Sequence, residues 1–381
     1  MSSRFQSFDS IAVSGVQGLS PYQPGKPESE LKREFGLEKI TKLASNENPL
    51  GNSAKVVQAV SQTLSRVTRY PDGAGFELKS SLAKRHGVDI NTITLGSGSS
   101  EVIELVARVF VAPGDEVVFS QHAFAMYPII TQAVGGQAVE VPACEWGHDL
   151  KAISAAITEK TRIVFIANPN NPTGTWLGRD ALQRFLAEVP EQVVVVIDEA
   201  YFEYAAEAST GADGYPDATQ WLEAFPNLVV TRTFSKAFGL AGLRVGYSLS
   251  SPVIADLMNR IRPPFNVNTP AQVAALATLD DPDYLQQSLD INTAGMLQLT
   301  QGFKDLGLKY IPSITNFVSV EVGDNARVVY DALLRRGVIV RPVANYGMPR
   351  HLRVSIGTEQ ENRHFLTALT AVLSHLIESN R

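Results

Sequence analysis

The chain has 381 residues, of which 44% are hydrophobic and 19% charged, and its formal net charge at pH 7 is -6. This balance is typical of a soluble globular protein with room for two domains, and its acidic excess argues against nucleic acid or a membrane as the main partner. No stretch reaches the roughly 20 apolar residues that span a bilayer, and the start of the chain lacks the apolar core of a signal peptide. One cysteine, Cys144, cannot form an internal disulfide, so we expect a cytoplasmic protein.

Residues 1–45 are predicted to form an N-terminal arm, because prolines and a glycine interrupt the chain around Tyr22. Residues 29–35 have the pattern of a short amphipathic helix. Such an arm must lie on another part of the protein to be ordered, and we expect it to pack with a smaller C-terminal domain. An unstructured tail is the alternative.

Residues 46–285 have the pattern of a large α/β domain. After helices at residues 55–67 and 76–86, strands alternate with mostly helical segments, the first of them at residues 101–110. The predicted strands are residues 91–95, 117–120, 138–142, 161–167, 193–197 and 227–233. Residues 193–197 are apolar throughout, as expected of a strand buried on both faces of a mainly parallel sheet. The pattern is doubly wound, so we look for a ligand at the carboxyl ends of the strands.

Residues 286–381 are predicted to form a smaller α+β domain, with the boundary inside a long helical region. The predicted elements are helices at residues 282–306, 325–336 and 359–378, and strands at residues 316–322, 338–341 and 351–356.

One lysine, Lys236, lies among apolar residues directly after the predicted strand 227–233. Desolvation would favour its neutral, nucleophilic amine. Thr233 and Ser235 are two positions apart, so their hydroxyls point the same way in an extended chain, and Arg244 suits a phosphate. Together these groups predict pyridoxal 5′-phosphate (PLP), bound as a Schiff base. A turn with a stray lysine is the alternative.

Two further strand ends carry polar groups. Asn171 lies in the rigid turn Asn168-Pro-Asn-Asn-Pro-Thr-Gly174 and could hydrogen-bond a ligand. Asp198 ends the valine-rich strand, where a protonated pyridine nitrogen would pair with it, and Tyr201 could reach the ring oxygen. Turn chemistry at Asn171 and a capping aspartate at Asp198 are the alternatives.

The loop Gly96-Ser-Gly-Ser-Ser100 opens a predicted helix, where free N–H groups and the helix dipole suit a phosphate. It is not a Rossmann fingerprint, because Glu101 stands where the third glycine belongs. A plain turn with an N-cap explains it equally well. Arg341 and Arg353, from two neighbouring strands of the smaller domain, suit a carboxylate or phosphate by bidentate hydrogen bonding. Surface salt bridges are the alternative for these arginines.

These motifs, in this order, resemble those of the fold-type I PLP-dependent aminotransferases. The resemblance covers nearly the whole chain and implies a mainly parallel seven-stranded sheet between helices, with a smaller α+β domain. More narrowly the chain is similar to the histidinol-phosphate aminotransferases. That similarity rests on Pro21-Tyr-Gln-Pro-Gly-Lys26, Asn46-Glu-Asn-Pro-Leu-Gly51, Arg69-Tyr-Pro-Asp72 and Leu352-Arg-Val-Ser-Ile-Gly-Thr358.

The resemblance implies a role for each matching residue. Lys236 would bind the cofactor aldehyde and later move a proton, with Asp198 on the ring nitrogen and Phe124 stacked on the ring, where many relatives have tyrosine. Asn171 and Tyr201 would hold the ring oxygen. The cofactor phosphate would be held by Ser99, Ser100, Thr233, Ser235 and Arg244, and Tyr70 would reach across a homodimer interface to the neighbour's cofactor site. The substrate-binding residues would be Tyr22, Asn46, Tyr70, Asn171, Arg341 and Arg353.

The resemblance also implies the reaction, which is transamination between L-histidinol phosphate and 2-oxoglutarate, without a metal. An aromatic amino-acid aminotransferase of broad specificity shares all the cofactor residues and stays open, and a threonine-phosphate decarboxylase is more distant. A nucleotide-dependent dehydrogenase lacks its glycine fingerprint here. The aminotransferase-like domain of a transcription regulator would need a basic helix-turn-helix segment in front, for which the chain leaves no room.

Overall fold

The structure, a computed structural model, describes residue 8 and residues 11–21, 25–208 and 214–379. In chain order its helices are α1 Ser14–Gln17, α2 Glu28–Phe35, α3 Ala54–Thr63, α4 Phe76–His86, α5 Ser99–Phe110, α6 Met126–Ala133, α7 Leu150–Ala156, α8 Arg179–Glu188, α9 Phe202–Ala208, α10 Pro252–Ile261, α11 Thr269–Leu279, α12 Pro282–Asp305, α13 Ala326–Leu334 and α14 Glu359–Ser379. The strands are β1 Thr41–Lys42, β2 Ile93–Gly96, β3 Glu116–Ser120, β4 Gln137–Val141, β5 Thr161–Ala167, β6 Val194–Asp198, β7 Leu228–Thr233, β8 Gly246–Ser250, β9 Tyr310–Ile311, β10 Phe317–Glu321, β11 Val338–Ile339, β12 Arg341–Pro342 and β13 His351–Ser355.

The central sheet has seven strands in the order β2-β8-β7-β6-β5-β3-β4. The pairs from β7 to β4 are parallel, and β8 runs antiparallel to both of its neighbours. The predicted mainly parallel, seven-stranded α/β fold is therefore confirmed. Residue patterns alone predicted six of these strands and missed β8.

Helices cover both faces of the sheet. Alternate residues of each strand face opposite sides, so the apolar side chains on both faces are buried against these helices. On β6, Val195 and Ile197 pack in one core cluster with Phe185 of α8. Val194 and Val196 pack in the other cluster with residues of α5 and α10. Full burial of each such side chain contributes about 1.5–3 kcal/mol, which explains why the whole of β6 is apolar until Asp198.

The C-terminal unit is built on an antiparallel sheet with the order β12-β13-β10-β9. Its core joins residues of β10 and β13 to α13, α14 and the second half of α12, including Leu299 and Phe303. The predicted strand at residues 338–341 is two strands instead. Val338–Ile339 pairs with the arm at Thr41–Lys42, whereas Arg341–Pro342 pairs with β13.

The arm packs on the C-terminal unit through Leu31 of α2, which is buried beside Ala44, Leu334 and Ile339. At the second predicted boundary, between the large domain and the C-terminal unit, α12 begins against the large core at Leu285 and continues into the small core. The division of the chain at residues 45/46 and 285/286 stays a prediction.

The fold brings the residues that were predicted to bind the cofactor to one edge of the sheet. Parallel strands β5, β6 and β7 end there at Ala167, Asp198 and Thr233. The antiparallel β8 begins at this edge beside Thr233, and α5 starts there after only two intervening residues that follow β2. The loop predicted at residues 96–100 is thus shorter than expected, because Ser99 and Ser100 already form the first turn of α5.

Candidate active site

A cavity with about 610 Å³ of empty space, part of it open to solvent, lies at this edge of the sheet. Its walls contain every residue predicted to bind the cofactor except Tyr70. The lining residues are Ser99, Ser100, Phe124, Ala167, Pro169, Asn171, Asp198, Ala200, Tyr201, Thr233, Ser235, Lys236 and Arg244. The sequence motifs therefore converge on one cavity, although they are spread over about 150 residues of chain.

Lys236 occupies the loop after β7, and its Nζ donates a hydrogen bond to the carbonyl oxygen of Ser45, 3.3 Å away. Burial of the side chain, together with the nearby guanidinium groups of Arg353 and Arg244, lowers the pKa of Lys236 to about 8. A lysine with this pKa has a substantial neutral fraction near neutrality and can act as a nucleophile or base.

Asp198 is buried at the end of β6, and burial raises the pKa of its carboxyl. Both carboxylate oxygens accept hydrogen bonds from hydroxyl groups. Tyr127 donates to one at 3.0 Å and Thr231 to the other at 2.9 Å. A buried carboxylate that is held this way is favourable only when a positive charge lies near it, so the cavity suits a cationic group on this side.

The Tyr201 hydroxyl accepts a hydrogen bond from Nδ2 of Asn46, 2.9 Å away. Its own proton therefore stays available for a ligand oxygen. Burial raises the pKa of Tyr201 to about 12, so the hydroxyl is protonated at neutral pH. Asn46 is in turn fixed by Ser355, whose hydroxyl accepts from its backbone N–H at 2.8 Å.

Arg353 does not line the cavity but is bonded to a residue that does. Its Nη1 donates to the amide oxygen of Asn171 at 2.6 Å, and its Nη2 donates to the carbonyl oxygen of Ala44 at 2.8 Å. Because the oxygen of the Asn171 side chain is engaged in this way, its amide nitrogen can donate to a ligand.

The start of α5 and Arg244 form a close-packed anion cradle. Gly98 has φ of +83°, and a Cβ atom there would lie 2.4 Å from Nη2 of Arg244. At Gly246 a Cβ would lie 2.4 Å from the backbone nitrogen of Ser99. Both positions thus require glycine. The guanidinium also donates to Ser235 Oγ at 3.4 Å, so positive charge and free N–H groups face the same end of the cavity.

Phe124 forms part of the cavity wall and meets the Tyr127 ring edge to face, with the ring centroids 5.8 Å apart. It offers a flat apolar surface and no hydroxyl.

Two predicted residues lie elsewhere. Tyr70 is 82% exposed, lies outside the cavity of its own chain and stacks on Phe265 with a centroid distance of 4.6 Å. Arg341 is the cross-strand partner of Arg353, yet it lines a neighbouring groove with Lys26. Tyr22 lies outside the described residues.

Sequence reasoning gave no role to Tyr127, Thr231 or Ser355. Thr231 had a signal, because it lies two positions before Thr233 on the same face of β7. Tyr127 and Ser355 had none, since they reach their partners Asp198 and Asn46 from 71 and 309 positions away.

Within the described ranges, no group of three or more His, Cys, Asp and Glu side chains could hold a metal ion. Nor does any helix in these ranges have the length and apolar character needed to cross a membrane.

The fold and this site define an aminotransferase. The family model described as aminotransferase class I and II matches residues 38–369, and the chain belongs to this family.

The chain is similar over nearly its whole length to proteins named histidinol-phosphate aminotransferase 2. It is 59% identical to that of Pseudomonas fluorescens, with 96% of this chain and 98% of the relative covered. It is also 59% identical to that of Pseudomonas aeruginosa, with 97% and 99% covered. The crystal structure of histidinol-phosphate aminotransferase from Sinorhizobium meliloti in complex with pyridoxal-5′-phosphate is 30% identical and superposes with a TM-score of 0.87, covering 99% of each chain. The predicted family resemblance is confirmed.

Proposed function

We propose that this protein transfers the amino group of L-histidinol phosphate to 2-oxoglutarate, with PLP as its cofactor. The products are imidazole acetol phosphate and glutamate, and the reaction is a step of histidine biosynthesis in the cytoplasm. The observation that carries the cofactor is one cavity that holds Lys236, Asp198 and an anion cradle. The identity of about 59% to full-length histidinol-phosphate aminotransferases supports the substrate.

The residues present fit PLP at each end of the cavity. At one end Asp198 is a buried carboxylate with raised pKa that needs a cationic partner, as a protonated ring nitrogen provides. At the other, the cradle at Gly98, Ser99 and Arg244 leaves no room for a Cβ and presents donors to a phosphate. Lys236 lies in the same cavity, with an amine that burial makes nucleophilic.

When bound, PLP supplies an aldehyde that takes up amino groups and a ring that withdraws electrons from the substrate carbon. Lys236 would hold the cofactor and then, once displaced, move a proton away from the carbon that bears the substrate's amino group. Asp198 would keep a proton on the ring nitrogen, while the donors Asn171 and Tyr201 hold the ring oxygen. Phe124 would support the ring face.

Five groups at and beside the anion cradle are proposed to bind the cofactor phosphate. They are the backbone amides of Ser99 and Ser100, and the side chains of Thr233, Ser235 and Arg244.

Substrate anions would meet arginines from the smaller unit. Arg341 and Arg353 are directly opposed on the antiparallel strands β12 and β13, so their side chains project from the same face of that sheet. A guanidinium group suits the phosphate of histidinol phosphate and the carboxylates of 2-oxoglutarate or glutamate alike. With Tyr22 and Asn46 they complete the proposed substrate site, and Tyr70 joins it from a second chain.

A homodimer accounts for the position of Tyr70. Its ring is 82% exposed, and it lines surface grooves together with Val67 and Phe76, which are 53% and 65% exposed. Apolar side chains gathered at a surface mark an interaction site. A second copy of the chain covering them would bring Tyr70 to the neighbour's phosphate end.

Two-substrate steady-state kinetics test the reaction. Double-reciprocal plots with L-histidinol phosphate, at several fixed 2-oxoglutarate concentrations, are expected to give parallel lines, because the first product leaves before the second substrate binds. Intersecting lines, or no glutamate formed, would refute the proposal.

Sedimentation velocity is expected to give a dimer, and a monomer at full activity would remove the role given to Tyr70.

A further inference from the structure

The segment of residues 45–51 runs alongside the loop that carries Lys236. At its start, the carbonyl oxygen of Ser45 accepts from Lys236 Nζ at 3.3 Å. At its end, a Cβ on Gly239 would lie 3.2 Å from the carbonyl oxygen of Gly51 and 2.3 Å from the hydroxyl of Tyr284. The two stretches are thus in contact at Lys236 itself and again three residues later at Gly239.

Asn48 makes the central contact between these stretches. Its Nδ2 donates to the carbonyl oxygen of Ala237 at 2.9 Å and to Ser288 Oγ on α12 at 2.8 Å. Its Oδ1 accepts from the backbone N–H of Leu50 at 3.0 Å. With all three bonds made, the side chain has one orientation.

The Ala237 carbonyl belongs to the peptide unit directly after the one that joins Lys236 to Ala237, and Ala237 is fully buried, so a bond to this carbonyl restrains the backbone next to Lys236. The loop closes on itself through the bond from Gly239 N–H to the Lys236 carbonyl at 3.0 Å. That turn bond fixes the loop's shape but not its position in the protein. Asn48 ties the loop to α12, where Ser288 is itself buried and lies 3.4 Å from the hydroxyl of Tyr204.

We propose that Asn48 is a positioning residue for Lys236, which holds the lysine loop against α12 and so sets where Nζ lies in the cavity. The proposal rests on the proposed function, in which Lys236 bonds to the cofactor aldehyde. Asn48 itself is not among the residues that line the cavity. A displacement of about 1 Å in a reacting group can cost up to about 100-fold in rate, so the lost anchor has a measurable effect.

The test compares two ligands that differ only at the group Lys236 attacks. With PLP, the lysine amine adds to the aldehyde, a carbon–nitrogen double bond forms and one water leaves. Pyridoxine 5′-phosphate carries a hydroxymethyl group instead and binds without that bond. In Asn48→Ala apoenzyme we expect the dissociation constant for PLP to rise about tenfold, while that for pyridoxine 5′-phosphate stays within about twofold of the unaltered apoenzyme.

Asn48→Asp provides a second variant of the same size, in which a carboxylate oxygen replaces the donor to Ala237 and the same selective loss is expected. Asn292→Ala is the matched control on α12, because Asn292 donates to the carbonyl oxygen of Thr315 at 3.2 Å and not to the lysine loop. It should leave both dissociation constants unchanged.

The proposal would be overturned if the Asn48 variants bound both ligands equally more weakly, or bound neither more weakly. It would also be overturned if Asn292→Ala showed the same selective loss of PLP affinity. In the holoenzymes, the single-turnover rate constant with L-histidinol phosphate should fall about tenfold in Asn48→Ala, with the concentration for half-maximal rate within about twofold. If the unaltered apoenzyme gains no visible absorbance with PLP, it is the proposed function that fails instead.

Discussion

Arg353 and Asn171 are joined by a hydrogen bond of 2.6 Å between the guanidinium Nη1 and the amide oxygen, across 182 positions of sequence. The first is proposed to bind the substrate anion and the second the cofactor ring. The second bond of the guanidinium, to the Ala44 carbonyl, leaves it little freedom. A substrate anion would therefore meet a preoriented group that is already connected to the cofactor site.

Replacement of Arg353 by lysine is expected to lower kcat/KM by about 10- to 100-fold for both substrates, because an ammonium group cannot make the bidentate contact. Steady-state kinetics measure the loss. Arg350→Lys is the matched control, since Arg350 is bound at the surface by Glu321 and Asp324. Equal losses in both variants would contradict the role of Arg353.

Asp198→Asn is expected to slow turnover by about 10²–10³-fold, because an amide cannot stabilise a proton on the ring nitrogen as a carboxylate does. The hydroxyl groups of Tyr127 and Thr231 can still bond to the new side chain, so the cavity should keep its shape. Rapid-mixing single turnovers measure the effect, and circular dichroism checks the fold. A variant with full turnover would remove Asp198 from the mechanism.

The reactivity of Lys236 in the apoenzyme is expected to rise with pH through a midpoint of about 8. Burial makes the charged form less favourable, so the neutral amine, which is the reactive form, appears at lower pH than in the unfolded chain. Trace labelling with acetic anhydride, read peptide by peptide in a mass spectrometer, gives the titration curve, with the exposed Lys151 as reference. A midpoint at the ordinary lysine value of 10.5 would contradict the account.

Glu199→Ala is expected to destabilise the fold by about 3 kcal/mol, because it removes one partner of a buried ion pair. Arg232 is 3% exposed and donates to Glu199 through Nε at 3.0 Å and Nη2 at 2.7 Å. Asp217, also 2.7 Å from Arg232, keeps the loss at the lower end of the range for such pairs. Urea unfolding of the apoenzyme measures the change.

The control for this loss is Asp256→Ala, which breaks an ion pair with Arg260 whose side chains are 61% and 67% exposed. Exposed pairs contribute no more than about 1 kcal/mol. A similar loss in both variants would show that burial of the pair is not what matters.

Sequence patterns predicted the elements whose chemistry is local. The apolar run of β6 ends at Asp198, and the loop of Lys236 follows a strand, so the rule that ligands bind at strand ends applied directly. The strand β8 was missed because Gly-Tyr-Ser-Leu-Ser has little β-branched content, although all five of its residues are buried. Its burial between β2 and β7 depends on tertiary pairing.

Contacts between distant segments were beyond sequence reasoning. Neither the bond from Tyr127 to Asp198 nor that from Asn48 to Ala237 leaves a local signal, because each joins residues brought together only by the fold. The sequence likewise could not predict that Arg341 lies apart from the main cavity. The pattern placed Arg341 on a strand beside Arg353, but it did not show which surface the side chain would line.

Substrate choice is the central claim, and a half-reaction tests it most directly. The purified holoenzyme is mixed with L-histidinol phosphate alone, and separately with L-phenylalanine, while the visible absorbance of the bound cofactor is followed. We expect histidinol phosphate to remove this absorbance at far lower concentration, because the proposed site of Arg341 and Arg353 recognises the phosphate ester. If phenylalanine acts at an equal or lower concentration, the arginines bind a carboxylate instead, and the protein is an aromatic amino-acid aminotransferase.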